Sequence, residues 1–367
     1  MTKPISFIDR PIRIALVGCG RILKNHIKSI ILYKVQADLI AICDINKGKL
    51  DATDEFIKES YNEVGVNNKE TIKYTSYEEL LLESKKLELD LIVIATPSGF
   101  HSSQVIAAAN AGVHVCTEKP MAVRLKDGQE MIEACDKASV RLFVVKQNRF
   151  NATLQLVKKQ LENNRFGRLS LVTTNVFWHR PQAYYDQAEW RGTWELDGGA
   201  LMNQASHYVD LLVWMIGPVD SVSASIATIS RNIEAEDTAA LQLRWRNGAL
   251  GTMAVTMLTY PKNLEGSITI LGEKGSVKIG GPAVNKIEHW EFSDVSADDQ
   301  KIKEASYETT SIYGFGHPQF YKNMLDGLQG KGKIVCDGRE GLKSLELLTG
   351  AYKSAKERNI VYFPLPI

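Results

Sequence analysis

A chain of 367 residues, 44% hydrophobic and 24% charged, is long enough for two domains with separate cores. Its net charge of +1 argues against a nucleic-acid or anionic-membrane surface, and no apolar run approaches the roughly 20 residues of a membrane span. Cys19, Cys43, Cys116, Cys135 and Cys336 are scattered and never form a C-x-x-C pair; with no apolar leader in residues 1–10, a cytoplasmic protein with reduced thiols is expected.

The first half alternates strands and helices. A strand over 12–17 breaks into Gly18-Cys19-Gly20, and a helix follows Arg21. A second strand, 39–43, ends at Asp44, with a charged helix through about residue 60. A strand–turn–helix of this kind leaves backbone N–H groups free for a pyrophosphate, and an acid about 20 residues on accepts the ribose hydroxyls of NAD while repelling the extra phosphate of NADP. Leu23 occupies the third position of Gly-x-Gly-x-x-Gly, so this turn departs from the full pattern. A short helix (78–84), a buried strand (89–96), the turn Pro97-Ser-Gly-Phe-His101 and a helix (103–111) come next. The strand 113–116 leads into Glu118-Lys119-Pro120, then a helix (128–138) and a strand (142–146). This predicts an α/β Rossmann domain over 1–146, a doubly wound parallel sheet with Thr96, Pro97, His101, Glu118 and Lys119 on the same rim as the glycine turn.

From residue 147 the pattern changes. Helix 153–163 precedes strand 169–178, a loop rich in Trp, Arg and Tyr, and helix 199–216. Alternating runs at 222–230, 238–245, 249–258, 265–271 and 276–280 then predict strands, and helices at 317–328 and 339–358 follow. Residues 293–310 read as a loose polar segment. The expectation is an α+β domain over 147–367, built on a large, mostly antiparallel open sheet whose bare face suits a homo-oligomer.

Lys119 follows a strand and precedes a proline that restricts its backbone; it reads as a cation for a developing alkoxide, or as a solvated surface lysine. Asn203 and His207, four apart on one helix, share a face: His207 suits a general base near neutral pH, or a satisfied core histidine. Asp210, one turn on, is a candidate partner for the imidazole. The cationic and aromatic residues around Arg180 and Arg191 suit a carboxylate or phosphate, or equally a subunit contact. No metal-ligand cluster stands out.

On these residues the chain resembles the glucose–fructose oxidoreductase/inositol dehydrogenase (Gfo/Idh/MocA) family over essentially its whole length. The matching pieces are Gly18-Cys-Gly20, Ala95-Thr-Pro-Ser-Gly-Phe-His101, Glu118-Lys119-Pro120 and Gly199-Ala-Leu-Met-Asn-Gln-Ala-Ser-His207. The resemblance implies oxidation of a secondary hydroxyl of a sugar or cyclitol with NAD(P). By it Lys119 is the catalytic lysine and His207 the histidine of an Asp-x-x-x-His motif whose aspartate is here Asn203. Residues 147–151, 190–207 and 260–272 are similar to UDP-N-acetylglucosaminuronate 3-dehydrogenases. That likeness implies oxidation of the C3 hydroxyl of UDP-2-acetamido-2-deoxyglucuronate during bacterial surface-polysaccharide synthesis, with 2-oxoglutarate reoxidising NADH, in a homo-oligomer for which a tetramer is the preferred size. Gly18, Gly20, Arg21, Ile22, Asp44, Thr96, Pro97, His101, Glu118 and Lys119 are then the expected cofactor contacts. Lys119, Asn148, Arg149, Arg191, Asn203, His207 and Lys262 are the expected substrate contacts. Other sugar or inositol dehydrogenases, an NAD-dependent glycosidase and a non-catalytic NAD-binding regulator remain alternatives.

Overall fold

Near-continuous apolar runs such as Ile12–Val17 and Leu91–Ile94 can be stable only when both faces of a strand are covered, as in a parallel sheet between helices. The computed structural model, which describes residues 10–66, 70–309 and 314–366, has that arrangement in its first part. The elements run β1 (Ile12–Val17), α1 (Leu23–Leu32), β2 (Ala37–Cys43), α2 (Lys47–Glu63), β3 (Ile72–Tyr74), α3 (Tyr77–Leu82), β4 (Leu91–Ile94), α4 (His101–Asn110), β5 (His114–Thr117), α5 (Leu125–Lys137) and β6 (Leu142–Val144). The strands form one parallel sheet in the order β3-β2-β1-β4-β5-β6. The order reverses between β1 and β4, the point where a doubly wound sheet opens a crevice at its carboxyl edge.

The later part begins with α6 (Ala152–Glu162), β7 (Leu169–Phe177), α7 (Gln182–Tyr185) and α8 (Ser206–Ile216). Strands β8 (Val219–Ala227), β9 (Thr238–Trp245), β10 (Leu250–Thr256), β11 (Glu265–Gly272), β12 (Gly275–Gly280) and β13 (Lys286–Phe292) follow, then α9 (Ile302–Ala305), α10 (Gly316–Leu328), α11 (Gly338–Glu357) and β14 (Val361–Tyr362). Its eight strands lie in the order β13-β12-β11-β7-β10-β9-β8-β14, with β7 and β10 parallel and the other neighbours antiparallel. Period-two alternation makes one face the core: Val172, Val176, Leu241, Leu243, Trp245, Met253 and Val255 are buried. The opposite face exposes Gln242, Arg244, Leu250 and Thr252.

By contacts the chain divides into two compact units, one running to Val145 and including His317–Leu342, the other comprising Lys146–Gly316 and the residues from Lys343. The second stretch of the first unit groups there because Phe320, Tyr321, Met324 and Leu325 are buried, and Tyr321 bonds to His26.

The sequence pattern does not reveal strands β3, β13 and β14; each is a sheet edge, where short, polar-faced segments give little hydrophobic signal. The polar stretch from 293 is partly ordered: Ser296 and Asp299 form a reciprocal capping box that starts a 3₁₀ turn, Ala297–Lys301, leading into α9. The helix expected over 199–216 opens with a wider π turn, Ala200–Gln204, before α8. The expected absence of a targeting segment concerns residues 1–9, outside the described residues.

A Cβ on Gly251 would lie 2.6 Å from Trp245 Cη2 and 2.8 Å from the Val172 carbonyl oxygen. Gly251→Ala should therefore lower stability by about 1–3 kcal/mol, read as a fall in the denaturation midpoint at unchanged m-value.

Candidate active site

Beyond β1 the backbone must turn sharply against the end of β4. Gly18 adopts φ +94°, and a Cβ there would stand 2.7 Å from the Ala95 carbonyl. Gly20 is exposed, and nothing lies within 4 Å of the position its Cβ would take. Arg21 and the half-buried Ile22 lead from there into α1. Asp44 closes the turn from the end of β2: Oδ2 accepts the Cys19 N–H at 2.7 Å and Oδ1 the Asn46 N–H at 2.8 Å. A carboxylate has about four lone-pair directions, so two remain for a diol. This donor set and the open space over Gly20 fit a dinucleotide: a pyrophosphate at the helix start, a ribose on Asp44. The Cys19 thiol is pushed up to about 11 by burial and, further, by the Asp44 charge, so it is not a nucleophile here.

Thr96 and Pro97 continue from β4, half-buried on the same rim. His101, at the start of α4, is fully buried and links that rim to the next loop: Nε2 lies 3.0 Å from the Thr96 carbonyl oxygen and Nδ1 2.9 Å from that of Pro120. Burial lowers its pKa, and a neutral ring carries one N–H: it donates to one of these two carbonyls and only packs against the other. Lys119 is partly exposed and is joined to Pro120 by a cis peptide bond. Glu118 is buried, accepting the Lys119 N–H at 3.1 Å on Oε2 and facing His26 Nε2 at 3.0 Å through Oε1. Burial pushes this carboxyl up, but the His26 hydrogen bond and the fields of His26, His317 and Lys119 prevail and hold it at about 2.

In the second unit the π turn and α8 carry Asn203 and His207. The leading amides of this segment are satisfied from a distance: Ala200 N–H donates to the Glu236 carbonyl at 2.9 Å, Leu201 N–H to Glu236 Oε1 at 2.8 Å, and Met202 N–H to the Tyr352 hydroxyl at 3.1 Å. Tyr352 in turn donates to Glu236 Oε1 at 2.9 Å. A Cβ on Gly199 would overlap the Glu236 carboxyl group, so this approach requires glycine. The Asn203 amide donates to Asp197 Oδ1, while Oδ2 of that buried acid accepts the Gly192 N–H at 2.7 Å. His207 is 9% exposed. Asp210, considered as its partner, is instead gripped in two-point fashion by Arg149, with Nε and Nη2 both at 2.8 Å, and approached by Lys146 at 3.2 Å. Arg149, expected at the substrate, is buried, with two of its nitrogens on Asp210 and its guanidinium over Trp214. The neighbouring Asn148 is buried with Oδ1 unpartnered.

The aromatic loop stacks its cations. The Arg191 guanidinium lies 4.4 Å from the Tyr184 ring centroid and 4.6 Å from that of Trp190, and its Nε is buried without a hydrogen-bond partner. Lys262 is exposed on the strand-connecting segment that also holds Asn263, whose Oδ1 accepts the His179 N–H at 2.8 Å. Among the described residues no group of three or more His, Cys, Asp or Glu is disposed to hold a metal ion.

Sequence reasoning missed His26, Asp197 and Glu236. His26 had a signal: it interrupts the apolar stripe Leu23, Ile27, Ile30 on the buried face of α1. Asp197 and Glu236 had none, because a backbone amide leaves no mark on the identity of its own residue.

Comparison with known proteins places these features in a group. Residues 12–146 match the model of an oxidoreductase family with an NAD-binding Rossmann fold (GFO_IDH_MocA), and residues 158–363 match the C-terminal alpha/beta domain of the same family. The WlbA dehydrogenase from Bordetella pertussis, crystallised with NADH and UDP-GlcNAcA, is 56% identical, with TM-score 0.90 over 99% of this chain and 100% of that one. The WlbA dehydrogenase from Chromobacterium violaceum, in complex with the same two ligands, is 53% identical, with TM-score 0.89 over 100% and 99%. The myo-inositol 2-dehydrogenase of Thermotoga maritima is 25% identical over 95% of this chain and 98% of its own length.

Glu236 generates a pH prediction. Burial, against hydrogen bonds from Leu201 and Tyr352, raises its carboxyl from an ordinary 4.5 to about 7. A raised acid in the folded state binds its proton more tightly than the unfolded chain does. Its stabilisation is therefore complete below pH 4.5 and is lost as pH rises through 7, a difference on the order of 3 kcal/mol. Glu236→Gln should flatten the decline in melting temperature between pH 5 and 8; an undiminished decline refutes the assignment.

Proposed function

We propose, from the premise that this chain belongs to the Gfo/Idh/MocA oxidoreductase family, that it oxidises the C3 hydroxyl of UDP-2-acetamido-2-deoxyglucuronate to a 3-keto sugar. Family membership makes it an NAD-dependent sugar dehydrogenase. The finer reading is carried by one observation: both WlbA dehydrogenases, 53–56% identical over essentially full length, were crystallised with NADH and UDP-GlcNAcA.

The residues divide the labour as follows. Gly18, Gly20, Arg21 and Ile22 hold the pyrophosphate and Asp44 the ribose, with Thr96, Pro97 and Glu118 along the nicotinamide side. When bound, NAD supplies the acceptor for the hydride leaving C3. His207 accepts the hydroxyl proton, as a neutral imidazole can. The Lys119 ammonium stabilises the alkoxide before the carbonyl forms. Asn203, locked to Asp197, orients the sugar through its carbonyl oxygen. Arg191 and Lys262 meet the uronate or diphosphate charge, and Asn148 offers its unpartnered oxygen to a sugar hydroxyl. Arg149 contributes indirectly, by fixing the α8 segment through Asp210.

The same reading makes 2-oxoglutarate the second substrate, which leaves as 2-hydroxyglutarate. It places the 3-keto product in bacterial surface-polysaccharide synthesis, ahead of an aminotransferase. It also assigns the bare face of the second sheet to a copy of the same chain in a cytoplasmic homotetramer. No helix among the described residues is long and apolar enough to cross a membrane.

Incubation with UDP-N-acetylglucosaminuronate, NAD and 2-oxoglutarate should yield a sugar lighter by two hydrogens, together with 2-hydroxyglutarate, by mass spectrometry. Turnover of myo-inositol or free sugars alone, or release of UDP, would overturn the substrate assignment. Lys119→Met and His207→Asn should each lower kcat roughly 10²–10⁴-fold; near-normal hydride transfer in His207→Asn removes it as the base. Asp44→Ala should raise the NAD dissociation constant roughly tenfold or more and narrow the preference over NADP, measured by fluorescence titration.

A further inference from the structure

Behind Lys119 the first unit contains a group of buried polar side chains of which the proposed reaction uses Glu118 alone. His26 on α1 and Tyr321 on α10 are fully buried, and His317 and Glu118 nearly so. The Tyr321 hydroxyl lies 2.8 Å from His26 Nδ1, His26 Nε2 lies 3.0 Å from Glu118 Oε1, and Glu118 Oε2 accepts the Lys119 N–H at 3.1 Å. The His317 ring stands edge-on to that of His26, with centroids 5.7 Å apart. In the Nε2–H tautomer of His26 the three linked side chains are satisfied in one direction: Tyr321 donates to Nδ1, and Nε2–H donates to the carboxylate. This buried chain draws three side chains from three separate segments, and its last bond goes to the backbone of the lysine.

We propose that Tyr321, His26 and Glu118 form a positioning chain for Lys119, holding its backbone in place and keeping a carboxylate charge beside its ammonium. The inference rests on the reading of Lys119 as the cation that stabilises the alkoxide. It extends that reading by assigning the lysine's charge state to residues that need not touch substrate. The groups that face Glu118 are His26 on α1, His317 and Tyr321 on α10, Cys116 on β5 and Lys119 itself; Lys119 also lies in the field of His101 on α4. Cys116 and Tyr321 are pushed well up by burial, and burial lowers His101 and His317. Glu118 is therefore the anion of the group, and the charge it lends to Lys119 is removable by an isosteric change.

The test measures Lys119 directly. In the full chain, free of substrate, the pH dependence of Lys119 acetylation by a small amine-reactive reagent, followed by peptide mass spectrometry, gives the midpoint of its ionisation. Glu118→Gln should lower that midpoint by about one unit or more, and His26→Phe should move it in the same direction. His26→Gln, which keeps a donor toward Glu118, should restore much of the loss. At saturating NAD the alkaline limb of kcat should shift in parallel, so that about one unit above the limb Glu118→Gln runs roughly tenfold slower than wild type. Midpoints and alkaline limbs matching wild type in both Glu118→Gln and His26→Phe would overturn the positioning chain. Should His26→Phe not fold, Glu118→Gln decides alone. The two readings fail separately: wild-type kcat in Lys119→Met removes the catalytic role of the lysine, whereas an inactive Lys119→Met with unmoved midpoints removes only the chain behind it.

Discussion

The segments that carry the candidate site share one kind of bond, a carboxylate oxygen accepting a backbone N–H. Asp44 takes the amides of Cys19 and Asn46, Glu118 that of Lys119, Asp197 that of Gly192 and Glu236 that of Leu201. Asp237 takes three at once, Ile229, Ser230 and Arg231, and so shapes the loop before β9. Loops lack the ladder partners of helices and strands, so their amides must find other acceptors or face water. A charged acceptor makes such bonds stronger and fixes the loop at a chosen residue. The side chains that bind, donate or accept then project from a backbone that is already placed.

What happens to the charge on each of these acids depends on who else is present. Glu118 and Asp210 are both buried yet held at about 2: Arg149 and Lys146 stand against Asp210, and Glu118 has the His26 hydrogen bond and the Lys119 charge on its side. Glu236 is equally enclosed but is met by an amide, a phenol and the neighbouring Asp237, and its carboxyl rises instead. Hydrogen bonds from neutral donors offset part of the desolvation of a carboxylate; a facing cation is what reverses it. The same residue type thus serves as a permanent anion at the cofactor side and as a titrating cap beneath α8.

Much of this was legible from sequence where periodicity and strand ends carry information. Apolar runs that stop at Gly18, Asp44, Thr96 and Glu118 announced a parallel sheet whose carboxyl edge gathers those residues, and the strand order follows that plan. Edge strands such as Ile72–Tyr74 escaped because an edge buries little and so shows little pattern. The surroundings of Arg149 leave no local sign: nothing in Gln147-Asn-Arg149 reveals that Asp210, 61 positions on, takes two of its three guanidinium nitrogens. The acids that place the second unit's site were invisible for a related reason. Glu236 reaches Leu201 across 35 positions, and a long-range bond to an amide constrains only one of its two residues.

Asn203 has a consequence for how this chain can change. Its amide spends a hydrogen on Asp197, an acid already committed to the Gly192 N–H. Restoring an aspartate at 203 alone would set two carboxylates against each other, one of them forced to keep a proton. An asparagine at 197 would still offer its amide oxygen to the Gly192 N–H, so the neutral partner that an acid at 203 requires can stand there without loss of that bond. The charge of this pair is thus set by the two positions together, one acid and one amide.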